Sequence, residues 1–371
     1  MPLKKFNNNF LVIVVTAFVV LALTQCSKRD NETTIYDFEH NLADLNQIQI
    51  IGKKIFFDKN LSAPAGQSCA SCHNPTTGFS DPQLKTFSEG VVPGSFTNRN
   101  APPLAYLSFS PVRYFDDVDS TFVGGLFLDG RVNTLEEQVR FPLLNHLEMN
   151  NSSIAEIVSK VSQANYASLF KNTFGKNIFA DTTAAFDAIS KAVAEFERSE
   201  QVSPFSSKYD AYLAGETTLT AQELHGLQLF NDTAKGKCAN CHPSDDDNDF
   251  GAALFTDFTY DNIGLPHNPN ATSVQPDLGL GAIVNNPSMN GQFKVPSLRN
   301  VAVSAPYFHN GYFDNLNDAV RFYSERDVPG KFPVPEVNQN VNKDELGNLN
   351  LTPQEIDDIV AFLKTLTDGY Q

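Results

Sequence analysis

Two short runs, Cys69-Ala-Ser-Cys72-His73 and Cys238-Ala-Asn-Cys241-His242, each place two thiols and an imidazole on one turn of chain. In this spacing the thiols add across the vinyl groups of haem as thioethers, and the imidazole beside the second cysteine supplies an axial nitrogen to iron. A lone copy would also fit a zinc half-site or a thiol–disulfide pair. Zinc needs four ligands, however, and the flanks carry no matching Cys or His. Two complete copies therefore point to two haems c, attached through Cys69, Cys72, Cys238 and Cys241, with His73 and His242 as proximal ligands. The opposite face of each iron decides its chemistry. An open position admits peroxide, whereas a strong second ligand makes the haem a relay.

The elements that must position these motifs are mainly helical. Leu42, Leu45, Ile48, Ile51 and Ile55 predict an amphipathic helix leading into the first motif. Thr220-Ala-Gln-Glu223 is a capping box that opens a helix into the second. Phe186, Ile189, Val193 and Phe196 keep the same period. Thr352-Pro-Gln-Glu355 repeats the box, with Ile356, Ile359, Val360, Leu363 and Leu366 following along one face. Between them, residues 81–103 and 257–296 are rich in Gly, Pro and Asn, as loops wrapped around cofactors would be. Alternating strand patterns are scarce. The fold expected is mainly α: two tandem cytochrome c-like domains with long loops, each holding one covalent haem. The polar segment from Gln201 to Gly215 reads as the linker, giving domains 41–204 and 205–371.

The chain has 371 residues, enough for two cores, and its 43 acidic against 27 basic side chains disfavour a nucleic-acid surface. Lys4 and Lys5 precede the apolar run from Phe10 to Leu23, too short to span a bilayer comfortably and similar to the core of an export signal. Cys26 follows Leu23-Thr24-Gln25, an approximate lipobox. Four of the five cysteines belong to the two motifs, so Cys26 is the odd one out. The expectation is a lipoprotein-type signal over 1–25, a lipidated Cys26, a tether over 26–40 and a periplasmic, membrane-tethered protein. An ordinary signal peptide and an uncleaved anchor are the alternatives.

From Leu42 to Leu366 the sequence resembles the bacterial dihaem cytochrome c peroxidase family, which includes MauG-like enzymes. The resemblance rests on both haem motifs and on Arg99-Asn100-Ala-Pro, Phe127-Leu-Asp129-Gly130-Arg131, Leu135-Glu-Glu-Gln138, Glu148-Met149, Val295-Pro-Ser-Leu-Arg299-Asn300 and Ala305-Pro-Tyr-Phe-His309-Asn-Gly311. It implies peroxide chemistry at the N-terminal haem, with Glu148 as general acid/base and Gln138 orienting peroxide or water. Some relatives close that haem with a second histidine. No histidine occurs here between His73 and His146, and Glu89 stands at about the equivalent point, so an open haem is expected.

The resemblance also implies a calcium ion held by Asn100, Ser304 and Pro306, and a sixth ligand to the C-terminal haem fourteen residues after His309. That position is Tyr323, the MauG-like choice, where typical peroxidases have methionine. Met289 lies elsewhere, in a surface-loop sequence. The tryptophan usual before Asp-Gly-Arg is Leu128 here, and the chain has no tryptophan at all. Tyr106 or Tyr114 are candidates to take its place. Asp245 to Asp249 resembles a calcium loop only superficially.

The function implied is reduction of hydrogen peroxide with electrons from a small cytochrome c or copper protein. The alternatives are MauG-like oxidation of a partner protein and noncatalytic electron transfer. A homodimer is the expected assembly.

Overall fold

The computed structural model describes residues 35, 37–245, 251–271 and 276–371. Cys26, the export signal and most of the Asp245–Asp249 run lie outside the described residues. The chain falls into two units, Met1–Ala43 and Asp44–Gln371. Of the first, residues 37–40 form a turn of helix.

Eleven helices are described in the second unit: α1 Gln47–Phe56, α2 Cys69–Cys72, α3 Leu135–Leu144, α4 Ile154–Gln163, α5 Ala167–Phe174, α6 Thr182–Glu197, α7 Lys208–Leu213, α8 Ala221–Asn231, α9 Leu280–Val284, α10 Leu316–Glu325 and α11 Pro353–Lys364. Strands are confined to two antiparallel pairs, β1 Tyr114–Asp116 with β2 Thr121–Val123 and β3 Tyr260–Asp261 with β4 Phe293–Lys294. The expected helical class and the tandem arrangement hold.

Two helix predictions need correction. The helix before the first motif starts at Gln47, not Leu42, because the Asn46 side chain accepts from the Ile48 and Gln49 amides while Gln49 reaches back to the Asn46 amide. Leu42 is left exposed outside it. The segment read as a linker contains α7, opened by a reciprocal Ser207–Asp210 box. The boxes at Thr220–Glu223 and Thr352–Glu355 form as predicted.

The duplication is visible in how the helices cross. In the first half α1 packs on α6, and a Cβ on Gly52 would fall on the Ala192 carbonyl oxygen. In the second half α8 packs on α11, and a Cβ on Gly226 would fall on the Asp358 carbonyl oxygen. Four residues after each of these positions stands a phenylalanine. Phe56 meets Phe196 edge-on at 5.3 Å, and Phe230 meets Phe362 edge-on at 5.2 Å. A third ring joins each pair from the loop after the haem motif, Phe79 against Phe56 and Phe255 against Phe230 and Phe362. Edge-to-face pairs contribute roughly 0.5–1.5 kcal/mol each beyond the area they bury.

This geometry reverses an ordinary expectation. Helix propensity favours alanine over an interior glycine by about 1 kcal/mol. Gly52→Ala and Gly226→Ala instead force a backbone apart and should each destabilise by about 1–3 kcal/mol. A lowered thermal midpoint by far-ultraviolet circular dichroism is the expected result, and a raised midpoint would contradict the crossing.

Candidate haem sites

Both Cys-x-x-Cys-His runs close on themselves in the same way. The His73 amide donates to the Cys69 carbonyl at 2.9 Å and the His242 amide to the Cys238 carbonyl at 2.9 Å. Each imidazole is then oriented through Nδ1, 3.0 Å from the Phe79 carbonyl oxygen in the first site and 2.8 Å from that of Phe255 in the second. A carbonyl only accepts, so Nδ1 carries the proton and Nε2 keeps its lone pair for a metal. Both phenylalanines hold left-handed backbone to present these carbonyls, φ 62° at Phe79 and 54° at Phe255. Such a conformation is uncommon for a bulky residue, and it recurs here at matching points of two sites.

Electrostatics agrees with ligation. Burial lowers the His73 pKa and brings that of His242 down to about 4, which keeps both rings neutral. Burial also pushes the Cys69, Cys72 and Cys238 thiols up to about 12, and Cys241 further. Uncharged sulfur suits a thioether, whereas zinc would need thiolate. Among the described residues no group of three or more His, Cys, Asp or Glu is placed to hold a metal ion. A cavity of about 240 Å³ with largely apolar walls lies against Cys238, Cys241 and His242. These residues fit a covalently attached haem.

Tyr323, on α10, lines that same cavity. Its phenol is pushed up by burial and then by the nearby Cys241, Asp261 and Cys238, so the structure brings it to the second motif. Met289 sits in a short helical turn and is not among the cavity's lining residues. Asp261 at the end of β3, which the sequence does not advertise, is a partly buried carboxyl in the same wall, pushed up to about 6 by desolvation although the Asn342 amide donates to it at 2.7 Å.

At the first motif, Glu148 follows α3 in a turn where the Asn145 side-chain amide donates to Oε1 at 2.6 Å. Burial raises its pKa, against Asn145 and the charge of Arg131. The charge of Glu148 also raises both the Cys69 and Cys72 thiols, and its backbone carbonyl accepts the Val91 amide at 2.9 Å, on the loop whose Glu89 carbonyl takes the Gln67 side-chain amide that also reaches Cys72 Sγ. Gln138 is buried on the packed face of α3 with Leu135, Val139 and Leu143, rather than being an exposed residue of a Glu-rich helix. Glu89 turns outward, pairing with Lys85 at 3.2 Å and accepting the Gly94 amide.

Glu197, at the end of α6, was hidden in sequence as the polar terminus of an apolar helix. It is 4% exposed, its Oε2 has no partner, and its charge raises the Cys69 thiol. Burial pushes its carboxyl up to about 8. In the unfolded chain this group ionises in the ordinary carboxylate range, so its contribution to stability is full below that range and is lost as pH rises toward 8. Glu197→Gln should thus leave the thermal midpoint near wild type at about pH 4 and raise it at about pH 8. An equal alkaline decline in both proteins would contradict this.

The Asn100 amide lies against the Pro306 carbonyl, and Ser304 lines the same cavity as these two. One side-chain atom of the Asn100 amide faces the carbonyl oxygens of Lys85 and Thr86 at 3.4 and 3.3 Å. The other faces those of Ala101 and Pro306, both at 3.3 Å. Whichever way the amide is turned, its oxygen looks at two carbonyl oxygens, an arrangement a hard cation would relieve.

Where the tryptophan is missing, Leu128 lines the cavity and its carbonyl accepts the Lys294 amide at 2.8 Å. Close by, Phe293 stacks on His309 with centroids 3.7 Å apart, beneath the Arg99 guanidinium that pairs with Asp129 and Asp277. Of the two tyrosines considered as substitutes, Tyr114 is half exposed on the β1–β2 hairpin, while Tyr106 is buried and donates to Asp368.

Residues 46–218 match the family model described as di-haem cytochrome c peroxidase, and residues 224–367 match cytochrome c. The methylamine utilization protein MauG of Paracoccus denitrificans is 36% identical over 346 residues, 86% of this chain and 88% of that protein. The chain belongs to the di-haem cytochrome c peroxidase family. Within that family it is also 32% identical over 320 residues to the cytochrome c551 peroxidase of Pseudomonas aeruginosa, covering 85% of this chain and 78% of that one. The diheme peroxidase BthA from Burkholderia thailandensis shares the architecture with a TM-score of 0.79 at 35% identity, over 88% of this chain and 87% of that chain. As a family member the protein is an oxidoreductase with two covalently bound haems c in tandem cytochrome c-type domains.

Proposed function

We propose that the protein reduces hydrogen peroxide to water at the His73 site, with electrons delivered through the His242 site from a small cytochrome c or copper protein. The observation that carries this is Glu148, a carboxyl of raised pKa whose charge acts on Cys69 and Cys72. When bound, haem supplies the redox-active iron on which peroxide is reduced. The side chains supply the rest. Cleaving an O–O bond heterolytically requires one oxygen to lose a proton and the other to gain one as it leaves. Glu148 Oε2 accepts the first proton and returns it to the departing oxygen, while the Asn145 amide fixes the carboxyl through Oε1. Gln138 orients the peroxide. Two electrons and two protons complete the conversion of one peroxide to two waters. The Phe79 and Phe255 carbonyls hold His73 and His242 in the tautomer that ligates iron.

Tyr323, which shares the cavity with His242, would offer its phenol oxygen to a haem held there, and a phenolate donor would lower that haem's potential and suit it to relaying electrons. The same residue favours a second reading, MauG-like oxidation of a partner protein. Calcium is assigned to Asn100, Ser304 and Pro306, supported by the opposed carbonyl oxygens. A periplasmic, lipid-tethered protein and a homodimer complete the proposal, and a net charge of −16 suits a basic donor.

Stopped-flow mixing with peroxide, with and without a reduced small cytochrome c, separates the readings. Rapid donor oxidation supports the peroxidase. A long-lived oxidised species that ignores the donor supports the protein oxidase, and absence of any reaction contradicts both.

A further inference from the structure

Two buried tyrosines donate their phenols to carboxylates: Tyr106 to Asp368, at 2.9 Å from each oxygen, and Tyr166 to Asp58 Oδ2 at 2.7 Å. They differ in what surrounds them. The charges acting on Tyr106 are Asp368 and Arg299, whose guanidinium lies 4.8 Å from its ring. Those acting on Tyr166 are Asp58 and the Cys69 thiol, and its partner Asp58 stands two residues after Phe56, whose ring packs 6.2 Å from that of Phe79, the residue whose carbonyl holds His73 Nδ1. Tyr166 is 5% exposed, just before α5, and Asp58 follows α1, where its other oxygen caps a short turn through the Asn60 amide at 2.9 Å. Asp58 itself is only partly buried.

In a chain without tryptophan, tyrosine is the side chain most readily oxidised by one electron through its ring. A buried phenol gives up that electron only if its proton leaves too, because the radical cation is strongly acidic and a buried charge is costly. Tyr166 has a carboxylate in hydrogen-bond contact for that proton, on a residue that reaches water. It also lies beside the site at which, on the reading above, peroxide generates an oxidising equivalent.

We propose that Tyr166 and Asp58 form a proton-coupled hole sink for the His73 site, used when peroxide arrives without donor electrons. The O–H bond of Tyr166 breaks. Its electron goes to the peroxide-oxidised His73 site, its proton goes to Asp58 Oδ2, and a neutral tyrosyl radical remains. Peroxide is the oxidant: its reduction to two waters withdraws two electrons from the His73 site, Tyr166 returns one of them, and the second oxidising equivalent stays at that site until a donor electron arrives. A later electron from the donor, with the proton returned from Asp58, restores the phenol.

The test is freeze-quench electron paramagnetic resonance of the oxidised holoenzyme after stoichiometric peroxide without donor, using ring-deuterated tyrosine to identify the radical by its narrowed hyperfine lines. Wild type and Tyr106→Phe should both give the tyrosyl signal. Tyr166→Phe should lose it while keeping wild-type turnover with donor, a split that a merely structural hydrogen bond would not produce. Asp58→Asn should slow its appearance by roughly 10²-fold. An undiminished signal in Tyr166→Phe, or its loss in Tyr106→Phe, overturns the proposal. Haem absorption changes without any tyrosyl radical in wild type overturn the sink alone. No haem change on adding peroxide overturns the peroxidase reading as well.

Discussion

Glu148→Gln slows the reaction of the oxidised protein with peroxide by about 10²–10⁴-fold, the range typical of a positioned general acid/base. Glutamine keeps the shape and a hydrogen-bonding oxygen for Asn145, so the loss isolates the proton. The wild-type rate also has a defined pH dependence. Peroxide must first be deprotonated, which needs the carboxylate, and burial raises the Glu148 pKa above the ordinary range. The rate therefore falls as pH drops through a midpoint above that of a solvated glutamate, and Glu148→Gln lacks this limb. A wild-type midpoint in the ordinary carboxylate range, or a variant that retains the limb, would move the proton transfer to another group. Binding of cyanide to the ferric site should survive the substitution, because cyanide probes access to iron rather than O–O cleavage.

Tyr323→Met raises the potential of the His242 haem by on the order of hundreds of millivolts, within the span of about 0.8 V that axial ligands control. Phenolate donates strongly to ferric iron and stabilises it, while a neutral thioether favours the ferrous form. The phenol lines the cavity with His242, and no hydrogen bond among the described residues is made by its hydroxyl. Potentiometric titration followed in the visible spectrum measures the shift. One haem should change its absorption and potential while the other stays put. An unchanged pair of potentials would return Tyr323 to the role of a packing residue beside Phe308 and Phe322. The same variant bears on the two functional readings, since a relay of higher potential still passes electrons from a cytochrome donor but holds oxidising equivalents less stably.

Much of the arrangement is legible in sequence because its causes are local. Covalent attachment demands Cys-x-x-Cys-His spacing whatever the fold, and a capping box such as Thr220–Glu223 or Thr352–Glu355 closes within one turn. The start of α1 is less legible, because the apolar period continues through Leu42 and Leu45 whereas the Asn46–Gln49 box stops the helix short of them. α7 escapes the sequence pattern because its box uses Asp210 in place of the usual Glu or Gln. What sequence hides is pairing at a distance. Nothing local tells that Gly52 and Gly226 lie on opposing carbonyls, or that Phe79 and Phe255 turn left-handed to grip the two histidines. Glu197 and Tyr166 were hidden for the same reason. Each belongs to an ordinary helical pattern, and only the folded chain brings them into electrostatic reach of Cys69.

On the proposal above, two alike motifs hold unlike haems, the first open to peroxide and the second closed. The spectrum of the fully oxidised, unactivated holoenzyme tests it most directly, by electron paramagnetic resonance together with visible absorption. One high-spin ferric haem and one six-coordinate low-spin haem are predicted, with cyanide converting only the first. Two six-coordinate low-spin haems would contradict the account.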